Sequence, residues 1–458
     1  MPTPPRAESV TRKLPAAYAT TTDTTSAATT PWRQFYQDPA LIALLDTAIQ
    51  RNPDLLIATQ RVAVAQAELT ARRGALLPTV SAVATAGVDR FSQWSMTGVG
   101  NIDLNRSNNI ERRQQIPNPT PDLFVGLRST WEIDVWGRLR ALRGAAAARL
   151  LASEQGRRLV QTDLVAQTAR TYYELLALDQ ELEILTRNAR LQERAVEISR
   201  IQKQGGRATE LAVQQFVALL ARTQSLEAET RQRIVRAENE LNRLLGRYPQ
   251  PVPRGAALLR QPVPAALAVG VPTALLRHRP DVRQAEQALS AARADVDAAR
   301  AAFLPSLTLT PYVGMQAFAA ARLATPEALA IGALAGLTAP LFNRAALRAN
   351  LTRTTAEQIE AYARYQQATQ TGVAEVSTHL QGLGNLAEAY QRRTEEVAAL
   401  NRAVDVSNEL FLAGYASYLE VITAQRNVLD AELAQVELRR QQFEQLTSLY
   451  RATGGGWR

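Results

Sequence analysis

The chain has 458 residues, 46% of them apolar, 22 prolines, 23 glycines, no cysteine and a formal net charge of +9. That length buries a large core, and the apolar share excludes disorder for the bulk. The lack of cysteine excludes disulfides, thiolate metal sites and a cysteine nucleophile. Of the 52 basic residues only Lys13 and Lys203 are lysines. The arginines alternate with Glu and Gln along helical stretches such as AENELNRLLGR and form no block, so they read as solvated helix faces and not as a nucleic-acid patch.

In chain order, residues 1–38 read as an extended tail that gives way to a first repeat, 39–246. It opens with helix, AVAQAELTARRGALLP, and stops at Pro78, because proline lacks an N–H and fixes φ. Strands follow at about 79–90 and 122–134, separated by a polar, Asn-rich loop. In the second strand Leu123, Val125, Leu127, Ser129, Trp131, Ile133 and Val135 alternate with Phe124, Gly126, Arg128, Thr130, Glu132 and Asp134. A period of two with one apolar face is a strand signature. Residues 137–203 hold no proline and only Gly144 and Gly156 inside, and as one helix they span about 100 Å. Leu175, Leu178, Leu182, Leu185, Ala189 and Val196 recur at the 3–4 spacing of coiled-coil packing. A glycine turn leads to a helix at 209–246.

Residues 247–271 read as a linker, and 272–453 as a second copy of the same grammar. Asn52-Pro53-Asp54 returns as Arg279-Pro280-Asp281, Leu77-Pro78 as Leu304-Pro305 and Gly87 as Gly314, all 227 residues apart. Gly206 and the seven residues after it return at Gly414, 208 residues on. Three anchors in one order mark an internal duplication. The second copy therefore carries a helix, strands at about 305–317 and 330–340, a long helix at 343–411 and a helix at 417–451, before a tail at 454–458. The first copy has 21 extra residues between Gly87 and Trp136, which fall in its strand-to-strand loop.

No apolar run reaches the ~18 residues of a spanning helix. The longest, Leu329–Phe342, has 14 and is interrupted by Gly332, Gly336 and Pro340. Four alternating strands of about ten residues fit the wall of a transmembrane barrel instead. Four cannot close one, and an open edge cannot sit in lipid, so the chain would oligomerise with two copies or three. A sheet packed on helices remains the plainer alternative. His278 and His379 stand alone, without ligands at metal spacing. Met1, Met96 and Met315 form no soft-metal relay. No GxSxG, P-loop or dinucleotide fingerprint occurs in a strand-to-helix setting, so neither an enzyme nor a cofactor is expected.

Several segments carry a family likeness: WRQFYQDPALIALLDTAIQRNPDL, ARRGALLPTVSA, STWEIDVWGRLR, RHRPDVRQAEQALSAARADVDAARAAFLPSLTL and LFLAGYASYLEVITAQRNVLDAEL. Over about 30–455 the chain resembles the TolC/OprM/NodT-type outer-membrane factors of tripartite efflux pumps. The resemblance implies a mainly α fold with transmembrane β. Three copies would build a long α-helical barrel in the periplasm and a 12-stranded barrel in the outer membrane, with the linker in an equatorial belt. It implies a passive exit duct that works with a periplasmic adaptor and an inner-membrane transporter, contacts outer-membrane lipid and uses no nucleic acid.

Within that reading Gly205, Gly206, Arg207, Gly414, Tyr415 and Ala416 form the periplasmic tip and dock the adaptor. Leu412 and Tyr418, with Tyr415, narrow the aperture, Pro78 and Pro305 are helix–strand junctions, and Trp131 and Trp136 belong to the membrane interface. OprM/NodT members usually begin at a lipid-modified cysteine, and MPTPPRAES is neither that nor a secretory signal, so either the anchor was removed or this member is unlipidated. The expectation is that signal and anchor were removed together. A soluble coiled-coil scaffold without a pore is the rival reading, and a duct for type I protein secretion is a variant of the first.

Overall fold

The computed structural model describes residues 30–263, 271–342 and 344–457. Most of the expected N-terminal tail, part of the linker, Asn343 and Arg458 lie outside these residues. The fold is mainly helical with one four-stranded sheet, as the fold class from sequence requires. It divides into two compact units, and α3 (Pro53–Gly74), α5 (Arg138–Gln204), α8 (Pro280–Ala301) and α9 (Ala345–Ala413) each contribute residues to both. No helix among the described residues is long and apolar enough to cross a membrane.

One unit comprises residues 65–150 and 289–360 and contains the sheet. Strands β1 (Thr79–Asp89), β2 (Thr120–Ile133), β3 (Ser306–Ala317) and β4 (Leu329–Thr338) lie side by side in sequence order, all antiparallel. The register joins like to like. Val125 faces Met315, Leu127 faces Val313 and Ile133 faces Leu307, while Ala84 faces Val125 and Val313 faces Ile331. One face is thus apolar across all four strands. Pro311 sits inside β3, and the β2–β3 pairing skips it and Thr310 before resuming at Leu309 with Trp131. Proline has no N–H to give that ladder.

The extra residues of the first repeat are not all loop. They contain α4 (Met96–Arg106), started by Ser95, whose hydroxyl accepts the Gly98 N–H at 3.1 Å. The asparagines that suggested a solvated loop have a structural use. Asn105 holds both the N–H and the carbonyl of Ile116, at 2.8 and 2.9 Å.

The other unit holds the remaining described residues, starts with the single helical turn α1 (Trp32–Phe35), and has a large core. It gathers Leu41, Leu44 and Leu45 of α2 (Pro39–Arg51), Leu164–Leu185 of α5, Leu241–Leu245 at the end of α6 (Glu210–Leu244), and Phe443, Leu446 and Tyr450 of α10 (Tyr418–Ala452). Tyr173 stacks on Phe443 with ring centroids 4.2 Å apart. The Tyr172 hydroxyl donates to Asp38 at 2.7 Å and accepts from the Gly255 N–H at 2.9 Å, which pins the stretch after α6 to the core. Burial, then the Asp38 carboxylate, pushes the Tyr172 phenol above its ordinary pKa, so it stays a donor. Proline opens α2, α3, α7 (Pro272–His278) and α8, where its missing N–H costs nothing.

The duplication is visible in these elements. α3 and α8 have 22 residues each, and α6 and α10 have 35 each.

Candidate functional site

The sheet presents its apolar face to solvent. Val80, Val88, Val125, Leu127, Val313, Leu329, Ile331 and Leu337 all lie on it and all are exposed. An exposed patch of this extent is a contact surface and not a folded exterior. The opposite face is more polar, although Val83 and Leu334 also lie on it, and two aromatic rings there fill the space glycines leave. The Phe124 ring lies over Gly126 and Gly314, where a Cβ would come within 2.9 and 2.7 Å of its tip. Tyr312 lies over Gly332 in the same way, and the two rings meet edge to face at 6.0 Å. Arg128 sits over Phe124 at 5.8 Å.

Both prolines flagged in the sequence stand between a helix and a strand, Pro78 before β1 and Pro305 before β3. The backbone repeats there. Leu77 N–H donates to Gly74 and Leu304 N–H to Ala301, at 2.9 and 3.0 Å. Trp131 and Trp136 gather at the helix-bearing end of the sheet. Trp131 donates its indole N–H to Leu76 O at 3.0 Å, and the exposed Trp136 donates to Pro305 O at 2.7 Å. Just beyond, the Asp134 carboxylate accepts the N–H groups of Leu139 and Arg140 at 3.0 and 2.8 Å, starting α5.

The residues expected at the tip fall at the turns that follow α5 and α9. α5 ends with Gly206 at φ +72°, its N–H donating to Lys203 O at 3.0 Å and that of Arg207 to Gln202 O at 2.8 Å. α9 ends with Gly414 at φ +82°, its N–H donating to Phe411 O at 3.2 Å and that of Tyr415 to Leu410 O at 2.9 Å. Both are Schellman turns, which need the left-handed conformation that glycine adopts freely. Thr209 and Ser417 then cap α6 and α10. Glu420 closes a capping box with Ser417, and hydrogen bonds from Ser417 hold its carboxyl below the ordinary range.

Side-chain chemistry separates the turns. Arg200, Lys203 and Arg207 of the first correspond, 208 residues on, to Asn408, Phe411 and Tyr415 of the second. Gly205, Gly206 and Arg207 are exposed, as are Leu412, Gly414 and Tyr415, while Ala416 is half-buried. Tyr418 differs from Leu412: it packs with Phe411 against a small cluster of Val196, Phe216 and Val421.

Four residues with clear roles were not singled out as sites from sequence. Arg279, with 5% of its side chain exposed, donates to Asp281, to Glu375 at 2.8 Å and to Ala452 O at 2.9 Å. Burial works against its charge, and the two carboxylates more than offset that, leaving its pKa above the ordinary value. Asn52 donates to Leu244 O at 2.9 Å while its side-chain oxygen accepts from Asp54 and Leu55. Nearer the tip, Gln192 and Gln425 are buried polar groups in a groove of about 300 Å³. The NPD/RPD repeat was the available signal for the first pair. For the glutamines, a polar residue inside an apolar 3–4 stripe was.

An exposed apolar face on an open antiparallel sheet, carried by helices too long for a globular core, defines a segment of a membrane channel. The comparisons agree. The Outer membrane efflux protein model matches residues 44–247 and 271–455, one stretch in each repeat. The chain is 32% identical over 432 residues to the solvent efflux pump outer membrane protein SrpC of Pseudomonas putida, covering 93% of this chain and 87% of that one. It is 32% identical over 429 residues to the pyoverdine export outer membrane protein OpmQ of Pseudomonas aeruginosa, with the same coverage. Among solved structures, the open-state MtrE outer membrane channel of Neisseria gonorrhoeae superposes with a TM-score of 0.84 at 25% identity, over 100% of this chain and 98% of that one.

The chain belongs to the outer membrane efflux protein family. It is an outer-membrane efflux channel protein of the tripartite type, a passive duct in a family of channels and not of enzymes. Members of this family are trimeric and work with adaptors and inner-membrane transporters.

Proposed function

We propose that three copies of this chain close one 12-stranded barrel, β4 of each pairing with β1 of the next. The observation that carries this is the open sheet itself, with β1 and β4 as its outer strands and an apolar face whose large side chains on both outer strands are exposed. In lipid every strand edge needs a partner, and two copies would give only the smallest membrane barrel. Lipid then covers the apolar face, and the face bearing Arg128, Glu132 and Tyr312 lines the passage. The exposed turns around Gly206–Arg207 and Gly414–Tyr415 meet the periplasmic adaptor, through which the inner-membrane transporter delivers cargo. Leu412 and Tyr415 narrow the aperture directly, and Tyr418 fixes their hairpin through its packing. Cargo is a compound of the kind for which the relatives are named, a solvent or pyoverdine.

The absence of cysteine makes the test free of background. Val80→Cys and Leu337→Cys place thiols on the apolar face of the two outer strands. Within one chain those strands are three spacings apart, about 14 Å, too far for a disulfide. Oxidation in outer membranes should therefore yield covalent dimers and trimers on a non-reducing gel. A chain carrying both cysteines that stays monomeric under oxidation would remove the barrel closure.

A further inference from the structure

Buried side chains along the tip-proximal half of the helix seam change character in a defined layer. Above it lies the main core, ending at Leu185 and Leu429; below it lies the cluster of Val196, Phe216 and Val421. Between the two stand Gln192, 1% exposed, and Gln425, 7% exposed, lining one groove. Neither the nitrogen nor the oxygen of the Gln192 amide, nor the Gln425 oxygen, has a hydrogen-bond partner among the described residues. The duplication supplies the control. Counted from the tip glycines, position 192 of α5 corresponds to Leu400 of α9, and position 425 of α10 to Val217 of α6. Apolar side chains would serve in this architecture, and the sister positions have them. One step above, Arg187 of α5 donates to Glu432 of α10 at 2.7 Å, with Asn188 at 3.4 Å from the same carboxylate. Its sister positions, Glu395 and Gln224, could not form that ion pair.

We propose that Gln192 and Gln425 are gating residues, which make the seam between α5 and α10 the one that parts when the tip opens. The proposal rests on the duct reading. Parting two apolar helix faces forfeits their packing, whereas parting this layer hands buried amides and an ion pair to water, which satisfies them fully. The seam is therefore held well enough to stay shut and weakly enough to open.

The test is single-channel recording of the purified protein in planar bilayers, with SDS-resistant trimers as the assembly control. Gln192→Leu with Gln425→Val copies the sister residues and should make openings about tenfold rarer at unchanged open conductance. Gln192→Glu with Gln425→Glu should make them about tenfold more frequent, because two like charges repel in the same groove. Gln192→Asn, which keeps the amide, should open as the parent does, and it serves where a double variant fails to assemble. Apolar variants that open as often as the parent, or an Asn variant as silent as the Leu variant, would overturn the proposal. A parent protein that never conducts would instead overturn the duct reading beneath it.

Discussion

At the base of the first repeat, Asn52 donates to the carbonyl of Leu244, where α6 ends. At the base of the second, Arg279 donates to the carbonyl of Ala452, where α10 ends. Donors and acceptors correspond by the same offsets of 227 and 208 residues that define the duplication. Both repeats need a side chain there, because the last carbonyls of a helix have no partner within it. They differ in what else that side chain carries. The asparagine also caps α3 through Asp54 and Leu55, whereas the arginine brings a charge that Asp281 and Glu375 must balance. Arg451, itself paired with Asp163 at 2.5 Å, approaches Glu375 to 3.6 Å and extends the network. One backbone solution has thus been kept while its chemistry moved from a neutral cap to an ionic hub.

That difference sets the largest expected effect. Arg279→Ala strands the Asp281 carboxylate and the Ala452 carbonyl, leaves Glu375 with Arg451 alone, and should cost about 3–5 kcal/mol. Asn52→Ala loses one cap and one carbonyl bond, for about 1–2 kcal/mol. Thermal midpoints of the detergent-extracted protein should rank the two in that order. Equal midpoints would mean that the charge adds nothing to the geometric role.

Glycine sharpens the comparison by holding chemistry fixed and varying place. Four Schellman turns recur: Gly206 and Gly414 at the tips, Gly246 and Gly454 at the helix bases, all with positive φ. A Cβ at either tip glycine meets nothing within 4 Å. At Gly246 it would lie 2.3 Å from Arg51 O, and at Gly454 2.7 Å from His278 O, again corresponding atoms. Gly206→Ala and Gly414→Ala should therefore each cost only the conformational strain, about 1–2 kcal/mol. Gly246→Ala and Gly454→Ala add overpacking against backbone, about 1–3 kcal/mol more. Denaturation of the four variants would show two matched pairs, and a tip variant as damaged as a base variant would contradict the reading.

These elements also mark what the sequence could reveal. Duplication, strand faces and helix stops were legible, because proline, glycine and alternation act locally and leave fixed spacings. The pairing of β2 with β3 was not read from the sequence; it brings their apolar faces into line and is interrupted at Pro311. The ionic hub was not legible. Arg279, Asp281, Glu375 and Ala452 come from distant points in the chain, and one arginine among 50 has no local mark of burial. Helix α4 was hidden for a related reason. Asn-rich sequence reads as loop, and the tertiary use of Asn105 has no sequence period.

The smallest effect expected concerns a pair with no sister. Glu181 of α5 accepts from Arg233 of α6 at 2.8 Å, while the corresponding positions in the second repeat are Ala389 and Gln441. Burial pushes the Glu181 carboxyl above its ordinary range and outweighs the pull of Arg233. A raised folded-state pKa means the folded chain holds this proton more tightly than the unfolded chain does. Its contribution to stability is then complete below the unfolded-state value and is lost as pH rises through the folded-state value. Glu181→Gln keeps the shape and cannot titrate, so it should flatten part of the fall in thermal midpoint as pH rises above the ordinary carboxylate range. Parallel midpoint profiles for the parent and Glu181→Gln would show that Arg233 fully offsets the burial, leaving this contact without the pH dependence assigned to it.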